Sequence, residues 1–339
     1  MSAPRLFGMQ AGGGLLGRVG SPSSGTGRPG ISRRAAQSPA YRSRALPESQ
    51  LKSALVDVGK LRLHHTYGGA GRPIVFVHGL GSSGYIEWRF TLPRFARSHR
   101  VFAPDLPGFG RSDKPRGESY GIPFFARTLD RYLEGRRLKG VDLVGTSMGG
   151  RVALEMALKY PERVRRLVLV DALGLGRPSV QFYYPLMLLP RVGETVLGGM
   201  REALRWAPGP LIRRVASRYI GARGDLEKTM DDDYLRDLRE MYQERGYPEA
   251  YLATVRSMAN FRWMVGELDV ARKLEGLKVP LLIIWGANDP LFPVEQAIRA
   301  HGRLPGSRLV VIEGAGHTPQ AERPDEFNRH LAGFLKNSA

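Results

Sequence analysis

The run V-D-L-V-G-T-S-M-G-G, from Val141 to Gly150, constrains the fold more than any other part of the chain. An apolar strand pattern ends at Ser147, and a helical pattern carried by Val152, Leu154, Met156 and Leu158 begins at once. A strand-to-helix turn this tight leaves no room for a Cβ two residues before or after the serine, which calls for Gly145 and Gly149. The hydroxyl is then presented at the carboxyl end of a sheet, with the free N–H groups of a helix N-terminus behind it. That geometry is a nucleophile elbow. The pattern G-x-S-x-G is short, however, and a chain with 42 glycines matches it again at Gly117-Glu118-Ser119-Tyr120-Gly121. Ser119 follows the polar stretch Arg111 to Glu118, with no strand to present it, and is rejected as a nucleophile.

Strand-like runs recur at Ala54 to Val58, Leu61 to Thr66, Ile74 to Val77, Val101 to Ala103, Val141 to Val144, Leu167 to Val170, Leu281 to Trp285 and Leu309 to Ile312. Helical spacing fills the gaps, as in Phe124, Leu129 and Leu133, in Val294 to His301 and in Pro324 to Leu335. Alternating strands and helices predict an α/β fold whose sheet is mostly parallel and covered on both faces. Between Asp171 and about Trp263 the strand signal disappears and the pattern is helical. There Thr229 followed by Asp231-Asp232-Asp233 reads as a helix start, its acids favoured by the positive dipole end, rather than as a metal site.

Composition narrows the class. At 339 residues the chain holds one large α/β domain, or one carrying an insertion. No apolar run approaches the roughly 18 residues of a spanning helix, so a soluble protein is expected. The absence of cysteine excludes disulfides, thiolate nucleophiles and cysteine-ligated zinc. A formal charge of +19 raises the question of nucleic acid, but the basic residues are dispersed and no reading motif accompanies them. The expected partner is a small molecule, with weak attraction to anionic membranes as a side effect of charge. Residues 1–50 are rich in Gly, Ser, Pro and Arg, with Glu48 their sole acid, which predicts a disordered basic extension. A cytoplasmic location is expected, with organelle targeting by this acid-poor segment as the alternative.

A serine at its free pKa is a poor nucleophile and needs a histidine base backed by a carboxylate. Leu282 to Trp285 empties into a turn bearing Asp289, and Val310 to Ile312 into a glycine-rich loop bearing His317. The order Ser147, Asp289, His317 suits a triad set at the ends of successive strands. Asp171 also ends a strand and is the rival acid. Among the other histidines, His78 suits bracing of its loop better than proton transfer. Gly79-Leu80-Gly81-Ser82-Ser83-Gly84 matches G-x-G-x-x-G, with Asp105 ending the next strand, and so competes as a dinucleotide fingerprint. Against it, Pro93 interrupts the helix due after the third glycine, and the Ser, Asp and His loops go unexplained. The same loop serves as an oxyanion hole if the N–H of Leu80 joins that of Met148. This chemistry needs no cofactor and no metal.

Together these pieces resemble the α/β-hydrolase family: H-G-L-G-S-S at 78–83, P-D-L-P-G-F-G-R-S at 104–112, G-T-S-M-G-G at 145–150, G-A-N-D at 286–289 and G-A-G-H at 314–317. The resemblance implies an eight-stranded, mostly parallel sheet, with residues 51–171 and 264–339 as the core. Residues 172–263 then form a helical cap inserted after the sixth strand, and Asp105 and Ser112 are structural. Ser147 stands where haloalkane dehalogenases and epoxide hydrolases have aspartate, which argues against their chemistry. The glycine-rich loop and cap are similar to those of meta-cleavage product hydrolases, which carry Asn before the serine and Trp after the histidine. Here those positions are Thr146 and Thr318. The departure implies an esterase or lipase-like enzyme working through an acyl-enzyme. C–C bond hydrolysis or acyl transfer on the same triad, and a non-catalytic binding protein on the same fold, stay open. The stretch Phe182, Tyr183, Tyr184, Leu186, Met187, Leu188 and Leu189 either walls a pocket for an apolar acyl or aromatic group or packs the cap on the core. Arg177, Arg191, Arg213 and Arg214 read as solvated.

Overall fold

The computed structural model describes residues 51–336 apart from 177–178, 180–182, 221–225, 259–273, 275 and 305. The expectation for residues 1–50 lies outside the described residues, as do Arg177, Phe182 and the side chains of Tyr183 and Tyr184.

Eight strands form one sheet: β1 (Leu51–Val58), β2 (Leu61–Gly68), β3 (Pro73–Val77), β4 (Arg100–Pro104), β5 (Val141–Thr146), β6 (Val164–Val170), β7 (Leu281–Gly286) and β8 (Arg308–Ile312). Their order is β1-β2-β4-β3-β5-β6-β7-β8, with β2 antiparallel to both β1 and β4 and all other pairs parallel. Residues V-D-L-V-G-T of β5 and L-L-I-I-W-G of β7 are buried end to end, which is why their sequences are near-continuous apolar runs. By contrast β1 sits at an edge and exposes Lys52 and Asp57, charges that discourage pairing with another chain.

Side chains alternate across the sheet with period two. Val75 and Val77 enter one core with Ile283 and Trp285, whereas Ile74 and Phe76 enter the opposite core with Leu282 and Ile284. Before the elbow come α1 (Gly84–Trp88), α2 (Leu92–Phe95) and α3 (Ile122–Gly135), and α4 (Ser147–Lys159) follows it. Between β6 and β7 lie α5 (Tyr183–Leu188), α6 (Val192–Trp206), α7 (Gly209–Ile220), α8 (Leu226–Thr229), α9 (Asp232–Gln243) and α10 (Tyr247–Met258). The chain closes with α11 (Glu295–Arg303), α12 (Pro319–Glu322) and α13 (Pro324–Lys336). The Val75 face is covered by α3, α4 and α11 through Phe125, Leu129, Val152, Met156 and Ala297. The Ile74 face is covered by α1, α2 and α13 through Trp88, Leu92, Phe95, Phe327 and Leu331. Both faces are therefore helical, as expected of a parallel sheet.

The acidic triplet does start a helix, one step later than expected: Thr229 ends α8, and Asp231 caps α9 by accepting from the Tyr234 N–H at 2.8 Å. Among the described residues no helix is long and apolar enough to cross a membrane.

The strand order also locates the site. Val77 of β3 lies beside Gly145 of β5, and from this pair the chain runs outward to β4 on one side and β6 on the other. Ligands of open α/β sheets bind outside the carboxyl ends of the strands at such a reversal. Because β5, β6, β7 and β8 are parallel neighbours, the loops bearing Ser147, Asp171, Asp289 and His317 emerge side by side.

Candidate active site

Thr146 ends β5 and Ser147 is already the first residue of α4. The chain turns within one residue by placing Ser147 at φ +52°, a left-handed conformation that costs energy in a side chain other than glycine. Its neighbours show why glycine is required. A Cβ on Gly145 would lie 2.4 Å from the Gly149 carbonyl oxygen, and one on Gly149 would lie 2.4 Å from the carbonyl oxygens of Val77 and His78. Backbone atoms cannot move aside as a flexible side chain does. Gly149→Ala is therefore expected to cost about 3 kcal/mol or more, lowering Tm by roughly 6–12 °C. Thermal unfolding followed by circular dichroism tests this, and a Tm unchanged within about 2 °C would contradict the packing argument.

His317 lies on the loop after β8, buried, with Nδ1 2.8 Å from Asp289 Oδ2 and its ring edge-on to Phe292 at 5.1 Å between centroids. Asp289 is a pure acceptor when ionised, so Nδ1 carries the donated proton and Nε2 is left basic. The other oxygen of Asp289, Oδ1, accepts from the N–H groups of Leu291 at 2.7 Å and Phe292 at 3.1 Å. Trp285 holds this turn by donating its indole N–H to the Phe292 carbonyl at 2.8 Å. Burial alone would lower the His317 pKa, but the charge and hydrogen bond of Asp289, helped by Glu87 and Glu322, outweigh it and hold it above the ordinary imidazole value. Asp289 mirrors this: burial pushes it up, and His317 with the backbone donors pulls it below the usual carboxylate range.

Ser147 and His317 line one cavity of about 180 Å³, with Gly79, Leu80 and Thr318 in the same wall. The β3 loop presses on the serine so closely that a Cβ on Gly79 would come within 3.3 Å of the Ser147 Cβ. Leu80 thus borders Ser147, while Met148 is buried in the first turn of α4, where an N–H has no acceptor within the helix. His78 is spent on this loop: its Nδ1 is 2.7 Å from the Gly79 oxygen, and its Nε2 accepts from the Leu106 N–H at 2.8 Å.

Several site groups had gone unseen in the sequence. Glu87, on α1, reaches into the cavity, accepting from the Gly79 N–H at 3.3 Å and from the Gln320 amide at 2.7 Å. Glu322 clamps the histidine loop, accepting from the Gly316 N–H at 2.7 Å and from the backbone and hydroxyl of Thr318, each at 3.0 Å. Glu322 stands four residues after Thr318, one beyond the capping-box spacing, so no local signal pointed to it. From the helices between β6 and β7 the cavity takes Thr229, Met230 and Tyr234. Within the stretch offered as a pocket wall, Leu186 and Leu189 face solvent and Met187 is buried in the core cluster; none of the three lines this cavity.

The rival readings lose their geometry. Ser119 is exposed on a loop outside any strand. The helix after Gly84 does begin at the third glycine but stops at Trp88, and Asp105 is consumed by the Gly84 and Arg111 N–H groups, at 2.7 and 2.9 Å, and by His64. Asp171 lies within the same buried group as Asp289 and His317, with polar atoms of all three within 4.8 Å of one another.

Comparison with known proteins agrees with this architecture. Residues 72–324 match the family model described as the alpha/beta hydrolase fold. The chain is 31% identical over 271 residues to the 2-hydroxy-6-oxo-2,4-heptadienoate hydrolase of Pseudomonas putida, covering 79% of this chain and 90% of that protein. It is also 31% identical over 267 residues to the pimeloyl-[acyl-carrier protein] methyl ester esterase of Aeromonas hydrophila, covering 79% and 96%. Among solved structures, a meta-cleavage product hydrolase from Pseudomonas fluorescens superposes with a TM-score of 0.67 at 26% identity, over 85% of this chain and 98% of that one. With the sheet order, the elbow and a family match spanning most of its length, the chain belongs to the α/β-hydrolase fold family.

Proposed function

We propose that the chain is a serine hydrolase cleaving carboxylic esters in two acyl-transfer steps, without cofactor. Ser147 attacks the carbonyl carbon as His317 Nε2 takes its proton, and the amides of Leu80 and Met148 hold the oxyanion. His317 then gives that proton to the leaving alkoxide. In the second step it activates water against the acyl-enzyme, while Asp289 orients the imidazole and balances its charge. The observation that carries this reading is the 2.8 Å contact of His317 Nδ1 with Asp289 Oδ2, set behind a serine that shares its cavity. The helices from Tyr183 to Met258 act as a cap, and Thr229, Met230 and Tyr234 give it a part in substrate choice.

C–C bond hydrolysis is the second reading, favoured by the 31% identity to a heptadienoate hydrolase. Thr146 and Thr318 beside the nucleophile and base weigh against it, as does similarity of the same degree to a methyl ester esterase. A fluorophosphonate probe with a substrate panel separates the readings. Labelling of Ser147 is expected, together with faster turnover of nitrophenyl esters than of a vinylogous diketone acid. An unlabelled Ser147 would leave a binding protein, and a preference for the diketone would transfer the chain to C–C hydrolysis.

A further inference from the structure

We propose that Asp171 is a positioning residue that keeps its own proton and donates it to Asp289, holding that carboxylate toward His317. The proposal rests on the ester-hydrolase reading and deepens it. Asp171 follows the last residue of β6 and is tied to β7 twice, its N–H donating to the Ile284 carbonyl at 3.1 Å and its Oδ1 accepting from the Gly286 N–H at 3.0 Å. It is wholly buried and sits at φ +40°, a conformation that aspartate tolerates better than most residues.

The hydrogen-bond accounting then places one proton. Asp171 Oδ2 is buried and receives no donor among the described residues, and a carboxyl oxygen of Asp171 lies within 4.8 Å of one of Asp289. Two carboxyls this close and out of water are not both ionised, so the pair shares a proton. Asp289 already accepts from Leu291, Phe292 and His317, whereas among the described residues Asp171 accepts from Gly286 alone. The better-solvated anion is Asp289, which leaves the proton on Asp171. Burial first, and then the charge of Asp289, push the Asp171 pKa well above the usual carboxylate range. The charge of Glu322 on α12 favours a neutral Asp171 further, while that of Glu87 on α1 acts on His317. The pair then carries one negative charge, which matches the one positive charge on His317 after it takes the serine proton. The Asp171 proton stays where it is through both steps.

The test compares Asp171→Asn and Asp171→Leu through the acid limb of kcat/KM against pH and through direct NMR titration of the His317 ring. Asparagine offers an N–H in place of the acid O–H and keeps an oxygen for Gly286. It is expected to retain kcat within about threefold, with the titration unmoved. Leucine removes the donor. A fall in kcat of about 10- to 100-fold is expected, with His317 titrating about half a unit or more higher, because Asp289 becomes more basic. If Asp171 is ionised instead, Asp171→Asn removes a negative charge beside the imidazole and His317 titrates lower. If Asp171 is the triad acid, Asp171→Asn collapses kcat. Either result overturns the proposal. Should Asp171→Leu fail to fold, the His317 titration in Asp171→Asn decides alone. That titration needs no substrate, so failure of every ester as a substrate, or activity surviving Ser147→Ala, counts against the hydrolase reading and not against this one.

Discussion

Ser147→Ala is expected to lower kcat on an activated ester by about 10⁴- to 10⁶-fold, while Ser119→Ala leaves it nearly unchanged. The difference is one oxygen atom. Without Oγ no acyl-enzyme forms, and what survives is the rate given by the oxyanion amides and substrate binding. Alanine keeps the Cβ and the same strained φ of +52°, so fold and stability are expected to be nearly those of the parent. Ser119 is exposed on a loop away from any strand, and its hydroxyl has no part in the cavity that holds Ser147 and His317. Initial rates with a nitrophenyl ester, paired with thermal unfolding, check both variants. Near-normal turnover by Ser147→Ala would remove the elbow serine from the chemistry.

Asp289→Asn is expected to keep the fold and lower kcat by up to about 10⁴-fold. The amide oxygen can still accept from the Leu291 and Phe292 N–H groups, which turns the amide nitrogen toward His317 Nδ1. A donor facing Nδ1 selects the tautomer with the proton on Nε2, and that nitrogen can no longer take the serine proton. The imidazolium also loses the charge that holds its pKa up, so any residual activity should show its acid limb at lower pH. A pH series on the variant, with circular dichroism to confirm folding, is the measurement. Activity within about tenfold of the parent would mean that another carboxylate serves the histidine.

The elements that carry the fold were legible because their signals are local. Eight strands were expected from runs such as Leu281 to Trp285, and eight are present among the described residues, since burial on both faces of a sheet writes itself into consecutive apolar residues. The elbow was legible for the same kind of reason, as Gly145 and Gly149 report a steric demand arising within five residues of chain. The acidic triplet marked a helix start, though the capping residue proved to be Asp231 and not Thr229. The apolar stretch at 182–189 left its role open, because apolar composition does not distinguish a ligand wall from a packed or exposed helix; Leu186 and Leu189 are exposed, Met187 is packed in the core, and the cavity takes Thr229, Met230 and Tyr234 from the helices between β6 and β7.

Taken by itself, the sequence determined the backbone turn at Ser147, the order of Ser147, Asp289 and His317 after successive strands, and the strand-helix alternation, all of which depend on residues near one another in the chain. Only the tertiary structure decided which aspartate meets the histidine. Asp171 and Asp289 both end strands, and their roles depend on the pairing of β6 with β7, seen in the contact of Asp171 with Gly286 across 115 residues. The meeting of Glu87 with Gln320 across 233 residues is of the same kind. Hydrophobic pattern and turn chemistry report each residue's own burial and backbone conformation. Which polar groups then meet inside is set by strand register and helix docking, and these exist only once the whole sheet has assembled.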